Sequence, residues 1–145
     1  MLLSIVTVGL VGSLAVAAQA SAANQPDPKK TYIVNCQGAL DYRPTQIVLA
    51  CGDAGVYFTD VTWSRWTMNG ARGIGTLNVN TCEPTCTAGN IETYKNVRLR
   101  LGGDASGPGF GTFVNTFTSL TGVFQGNGPA LAQSSTWTLG NPIRE

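Results

Sequence analysis

Alternation of apolar and polar residues is clearest in NVRLRL, residues 96–101, where valine and leucine alternate with two arginines. This two-residue period places one side of a strand against a core and the other in water, so it predicts a half-exposed antiparallel strand. Residues 46–51, QIVLAC, are almost continuously apolar. Such a run predicts a central strand covered on both faces, although it is too short for periodicity alone to exclude a buried helix.

Other segments are rich in valine, isoleucine, threonine and aromatic residues, and glycine, proline, asparagine and aspartate separate them at short intervals. This composition is typical of strands joined by turns. The segments are TYIVNC (31–36), VYFTDVTWSRW (56–66), GIGTLNVN (73–80), GTFVNTF (111–117), LTGVF (120–124) and STWTL (135–139). No segment has a sustained helical period. We predict an all-β fold, a single antiparallel β-sandwich, with a barrel as the second candidate.

Trp63 and Trp66 are three residues apart, and residues three apart in a regular strand point to opposite faces. Both can be buried only if a bulge lies between them or if both faces are covered. We expect Trp63 to lie in the core, because aromatic rings contribute heavily to core burial. Asn69-Gly70 is typical of a hairpin turn and would pair the segment around Trp63 with residues 73–80.

The N-terminus predicts export. Residues 1–23 contain an uncharged apolar run followed by small residues, which is typical of a signal peptide cleaved somewhere after residues 20–23. Residues 24–30, NQPDPKK, predict a disordered leader, because proline cannot donate to a sheet ladder. Residues 31–145 would form the single domain. We therefore expect a secreted or cell-wall-associated protein without a stable membrane span after processing.

Charge is low and nearly balanced: nine basic and eight acidic residues give a formal charge of +1. Basic residues are scattered along the chain, apart from Lys29 and Lys30. This distribution lacks the electrostatic footprint of a protein that binds nucleic acid or an anionic membrane. If the protein has a partner, we expect a cell-wall polysaccharide or another envelope protein.

Four cysteines in an exported chain predict two disulfides, and three connectivities are possible. We favour Cys36 with Cys51 and Cys82 with Cys86. A zinc site would need all four thiols, but the first two lie too far apart for a usual ligand pair and an oxidising compartment consumes free thiols. The cysteines are also too close in sequence for an immunoglobulin bridge, so only the sandwich architecture is immunoglobulin-like. We predict neither a metal nor a cofactor.

A resemblance supports this pairing. Cys36, VLACGD (48–53), VTWSRW (61–66) and NTCEPTCTAG (80–89) occur in an order similar to that in small exported proteins of mycobacteria and other actinobacteria, which are largely uncharacterised. The similarity covers about residues 36–101. It implies a cell-envelope or extracellular setting, and it transfers no catalytic residue to this chain.

Candidate chemistry is sparse, since the chain has no histidine and so lacks the commonest general base. A glycosidase would need two converging carboxylates, which a sequence cannot show; Asp53 in CGDAG is better explained as a turn residue. We therefore predict a non-catalytic scaffold or interaction domain, without catalytic residues. The alternative is a glycan- or cell-wall-binding module in which exposed rings of Tyr57, Trp63 and Trp66 stack on sugars. A carboxylate-based hydrolase comes third.

Overall fold

The structure is a computed structural model that describes residues 25–109, 112–126, 128–129 and 133–140. The predicted signal peptide and the first residue of the leader lie outside the described residues. The described part of the chain contains no helix of the length and apolarity that a membrane span requires.

Eight strands account for the regular structure of the described residues. They are β1 (Thr31–Val34), β2 (Leu40–Asp41), β3 (Ile47–Val48), β4 (Val56–Thr67), β5 (Gly70–Asn80), β6 (Ile91–Gly109), β7 (Thr112–Val123) and β8 (Ser134–Thr138). The all-β prediction is confirmed. The alternating pattern of residues 96–101 forms part of β6, with its valine and leucines buried and its arginines exposed.

The strands are hydrogen-bonded into one sheet in the order β2-β1-β7-β6-β5-β4-β3, and β8 also pairs with β7. All neighbours are antiparallel except β1 and β7, which are parallel. The sheet is curled like half of a barrel, so the opposing layers of the predicted sandwich are regions of a single sheet. Its concave face holds the core, which includes Phe58, Leu77, Leu99, Phe117 and Leu120.

The curling brings the two ends of the sheet together. The disulfide between Cys36 and Cys51 joins the segment after β1 to the segment after β3. Nearby, the indole nitrogen of Trp66 on β4 donates a hydrogen bond of 2.9 Å to the carbonyl of Thr31 on β1. These contacts cross the open side of the sheet and complete the enclosure of the core.

The prediction that residues 46–51 form a central strand is wrong. Only Ile47 and Val48 are in a strand, and that strand is an edge of the sheet. The next two amides, of Leu49 and Ala50, both donate to the carbonyl of Val56, so the chain turns back at once. The apolar residues of this segment still contribute to the core: Ile47 lies in it and Leu49 packs against it.

Residues 102–109, GGDASGPG, form the second half of β6 despite their high glycine content. They pair with β7, which also joins the two strands predicted at 111–117 and 120–124 into one. Gly103 has a positive φ of 57° and interrupts the pairing between Gly102 and Asp104. Because glycine adopts this conformation without steric cost, the strand continues past the irregularity.

Residues 25–30 form a turn that contacts the sheet, which differs from the disordered leader predicted for this segment. The backbone N–H of Asp27 donates to the hydroxyl of Tyr32 at 2.8 Å. The side-chain amide of Asn115 on β7 donates to the carbonyl of Pro28 at 3.0 Å. The prolines keep the segment out of the ladder, as expected, but the carbonyl of Pro28 still accepts a hydrogen bond.

Candidate functional site

The two tryptophans predicted as possible sugar-binding residues point into the fold. Trp63 is 7% exposed, and its indole nitrogen donates a hydrogen bond of 2.8 Å to the carbonyl of Pro44. Trp66 is half-buried and packs against the core. The register of β4 against β5 shifts between Trp63 and Arg65. This bulge turns both tryptophans to the same face of the strand, which is one of the two arrangements expected to allow the burial of both.

Tyr57 is not brought together with these tryptophans. It is adjacent to the fully buried Phe58 and therefore lies on the opposite face of β4. Trp63 lies six positions further along β4 than Tyr57, a distance of about 20 Å. The three residues thus do not form one exposed stacking surface.

The predicted cysteine pairs, Cys36 with Cys51 and Cys82 with Cys86, are both present. A carboxylate oxygen of Asp53 and the sulfurs of Cys82 and Cys86 lie within 4.8 Å of one another. Those sulfurs are bonded to each other, so the group offers a metal ion one carboxylate and no thiolate. Asp53 also accepts a hydrogen bond of 2.9 Å from the backbone N–H of Gly55, in keeping with the predicted role in a turn.

A row of arginines on the convex face is a feature that the sequence analysis missed. In the strand registers, Arg65 on β4 lies directly opposite Arg72 on β5, and Arg72 lies directly opposite Arg100 on β6. Directly opposite residues share a face of the sheet. All three side chains are exposed. They form three consecutive positions across the sheet, spanning about 10 Å at the usual separation of strands.

The row continues with hydroxyl groups. Arg100 is opposite Thr121 on β7, and Thr121 is opposite Thr136 on β8. The two threonine hydroxyls are 2.9 Å apart and hydrogen-bonded. A fourth arginine, Arg98, lies two residues along β6 on the same face, opposite Ile74. Four of the six arginines in the chain therefore stand on one face of the sheet.

A depression of about 280 Å³ lies at the β4–β5 end of the row. Arg65, Arg72 and Arg100 all line it, together with Thr67 and Asn69 near the turn. Arg98 is not among its lining residues. Three guanidinium groups thus share one concave surface with a hydroxyl and an amide.

The electrostatics of the row are unfavourable for folding. Like charges directly opposite one another on a sheet are destabilising. Within the described residues, no guanidinium of Arg65, Arg72 or Arg100 donates a hydrogen bond to another side chain or to the backbone, and the one ion pair joins Lys30 to Asp27. The guanidinium groups of all three arginines are therefore free to donate hydrogen bonds to a ligand. The planar arrangement of their N–H groups matches the oxygens of a carboxylate or a phosphate.

A second depression, of about 210 Å³, lies where the ends of the sheet meet. Its lining includes Ile33, Cys36, Pro44 and Val48. It lies beside Cys36, whose disulfide with Cys51 closes this side of the fold, so the closure of the fold accounts for its position.

Comparison of the chain with family models, with curated proteins and with solved structures gives no match.

Proposed function

We propose that the protein is an exported, non-catalytic interaction domain that binds its partner through the convex face of β4, β5 and β6. The observation that carries this proposal is the arginine row of Arg65, Arg72 and Arg100, which is exposed and is not neutralised within the described residues. Repulsion between the directly opposite arginines lowers the stability of the fold, which favours a binding function for the row.

Export is supported by the disulfides and by the N-terminal sequence. Disulfides form and persist in oxidising compartments and are rare in the cytosol, and all four cysteines of this chain are paired. The apolar run of residues 1–23 is typical of a signal peptide. The resemblance to small exported actinobacterial proteins agrees with a cell-envelope or extracellular location, which is part of the proposal.

A partner at the cell surface is the natural target of such a face. Arginine is enriched at binding interfaces, where its planar guanidinium makes several hydrogen bonds at once. The alternative glycan-binding mode, stacking on Tyr57, Trp63 and Trp66, has less support, because Trp63 is buried and Tyr57 lies on the other face of the strand. Proposed partners are therefore envelope molecules that carry negative charge.

The proposal is tested in two steps. The full chain is expressed with and without residues 2–23, and its location and thiol content are measured by cell fractionation and by alkylation without reductant. We expect the full chain outside the cytoplasm with no alkylated cysteine. Purified protein is then incubated with cell-envelope material, and the bound fraction is compared with that of Arg72→Gln.

The expected result is binding by the natural chain that Arg72→Gln weakens. Arg43→Gln is not a suitable control, because the Arg43 side chain donates to the carbonyl of Trp63 and supports the fold. Arg98→Gln removes the same charge from the same face outside the depression and serves instead. Retention of the full chain in the cytoplasm would contradict export, and equal binding by natural protein and Arg72→Gln would contradict the proposed face.

A further inference from the structure

We propose that the depression lined by Arg65, Arg72 and Arg100 is a binding site for a phosphate group. This inference deepens the proposed function, on which it rests, by assigning a ligand class to the convex face. The two remain separable, because phosphate binding is measured on purified protein without any envelope material.

The first argument is charge density. Arg72 lies directly between Arg65 and Arg100 in the strand registers, so three positive charges occupy adjacent positions on one face. A phosphate monoester carries between about −1.5 and −2 charges at neutral pH and three strong acceptor oxygens. It can therefore neutralise about two of the three guanidinium charges. A single carboxylate, with one negative charge, would leave the repulsion in the row largely in place.

The second argument is hydrogen-bonding capacity. Each guanidinium presents several N–H groups in a rigid fork that fits two oxygens of a phosphate. The depression is concave and adds the hydroxyl of Thr67 and the side-chain amide of Asn69 at its rim. The Thr67 hydroxyl donates its one hydrogen to the carbonyl of Gly70 at 2.8 Å, so it offers the ligand an acceptor. The Asn69 amide is the neutral group that can donate to the phosphate oxygens. The surroundings thus suit a phosphate attached to a polar molecule.

The third argument is the cost of the row to the protein. Because Arg65, Arg72 and Arg100 repel one another, replacing the central Arg72 by glutamine should relieve repulsion without disturbing the core, which lies on the other face. Residues whose removal leaves stability unchanged or improves it, yet weakens binding, are typical of functional sites. A merely structural arginine would behave in the opposite way.

The test uses the purified mature chain and inorganic phosphate as the probe, titrated in a buffer of low ionic strength and followed by calorimetry and by NMR shifts of the arginine side chains. We expect saturable binding of one phosphate. Arg72→Gln should weaken it about tenfold or more, since hydrogen bonds to charged groups are the stronger ones. Arg72→Lys keeps the positive charge but loses the paired N–H donors of the planar guanidinium, so it should also weaken binding.

The matched control is Arg98→Gln, which removes an identical charge from the same strand and face as Arg100 but outside the depression. It should weaken binding much less than Arg72→Gln does. Thermal unfolding of each variant without ligand shows whether it folds, and we expect Arg72→Gln to unfold at the same temperature as the natural chain or higher. Citrate at equal ionic strength tests for carboxylate binding.

The source of the phosphate is resolved by comparing inorganic phosphate with a hexose 6-phosphate and with a phosphoserine peptide, since all three share the proposed chemistry. Tighter binding of one of the three identifies the source and supports the site. Three results would overturn the inference: no saturable binding of any phosphate probe, equal weakening by Arg72→Gln and Arg98→Gln, or tighter binding of citrate than of every phosphate. If envelope binding persists in that case, the proposed function stands and its ligand class is wrong.

Discussion

The indole rings of Trp63 and Trp66 meet edge to face, with their centroids 4.8 Å apart and their planes at 85°. The bulge between Trp63 and Arg65 makes this contact possible, because it places both tryptophans on the concave face. Each indole nitrogen also donates to a backbone carbonyl from a distant part of the sequence, that of Pro44 or Thr31. The pair thus ties β4 to both ends of the curled sheet.

We expect Trp63→Ala to destabilise the protein more than Trp66→Ala. Trp63 is 7% exposed, whereas Trp66 is only half-buried, and truncation of a buried aromatic residue costs about 3 to 5 kcal/mol. Denaturant midpoints of the two variants measure the difference. A larger loss for Trp66→Ala would show that the hydrogen bond to Thr31 matters more than core packing at Trp63.

Gly73 provides a test of the packing beside Trp63. A Cβ atom added at Gly73 would lie 2.6 Å from the carbonyl oxygen of Thr62 and 2.9 Å from the Trp63 ring. Both are too close, so β4 and β5 would have to move apart. We expect Gly73→Ala to cost about 1 to 3 kcal/mol, the usual penalty for overpacking a core.

The matched control is Gly52→Ala, because an added Cβ there has no neighbour within 4 Å and Gly52 lies outside the positive-φ region. We expect this variant to unfold at the same denaturant concentration as the natural chain, or slightly higher through reduced entropy of the unfolded state. If the two alanine variants have equal stability, Gly73 does not pack closely against Trp63 in solution.

The fold class was predictable from the sequence because strand periodicity and turn residues are local signals. The burial of Trp63 was predictable because aromatic rings contribute heavily to core burial. The spacing of the two tryptophans left two possibilities, a bulge or two covered faces, and the structure contains the bulge. The strand at 46–51 was overestimated because an apolar run does not reveal when its backbone stops pairing. In this segment the amides of Leu49 and Ala50 both donate to the carbonyl of Val56, so the chain turns after Val48. The apolar run then ends at Cys51, which forms a disulfide and is not part of a strand.

The arginine row was not predictable because it depends on register. The hairpin pairs Thr67 with Gly70, which brings Arg65 opposite Arg72. If the predicted Asn69-Gly70 dipeptide formed the two loop residues, Arg65 would instead face Ile74. Moving the two-residue loop by one position therefore changes the partner of Arg65 by two residues, and it decides whether the row exists. A charge count along the chain, which treats the arginines as scattered, cannot detect this register.

The Tyr94 hydroxyl is a measurable probe of the β6 surface. It donates a hydrogen bond of 2.6 Å to the Glu92 carboxylate, and this bond raises the pKa of Tyr94, with smaller contributions from partial burial and from the negative charge of Glu92. We expect Glu92→Gln to lower the pKa of Tyr94 towards the ordinary value of about 10. Difference titration of tyrosinate absorbance against Tyr94→Phe isolates this residue.

The raised pKa also fixes the direction of a stability change. The folded state holds the Tyr94 proton more tightly than the unfolded state, so protonated Tyr94 stabilises the fold. This stabilisation is fully present below pH about 10 and is lost as the pH rises through the pKa of Tyr94 in the folded state. In Glu92→Gln, the loss of stability at alkaline pH attributable to this group should therefore be smaller than in the natural chain. An unchanged pKa of Tyr94 in Glu92→Gln would show that the hydrogen bond does not form in solution.

The two disulfides should contribute unequally to stability. Cys36 and Cys51 are 15 residues apart and join the two ends of the sheet, and the chain-entropy estimate for a loop of this size is about 3 kcal/mol. Cys82 and Cys86 are only 4 residues apart, for which the same estimate is about 2 kcal/mol. Both would be removed as serine pairs, so that no unpaired thiol is left.

We expect the loss from Cys82→Ser/Cys86→Ser to fall below its estimate, because Asn80 holds the same loop. The Asn80 side chain accepts a hydrogen bond of 2.9 Å from the backbone N–H of Cys82 and donates one of 2.8 Å to the carbonyl of Cys86. The loop is therefore closed twice, whereas Cys36 and Cys51 cross the open side of the sheet. Denaturant midpoints of the two serine pairs measure the order, and adding Asn80→Ala to the second pair should remove the remaining support. If Cys82→Ser/Cys86→Ser is the less stable pair, closure of the sheet by Cys36 and Cys51 is not what holds the fold.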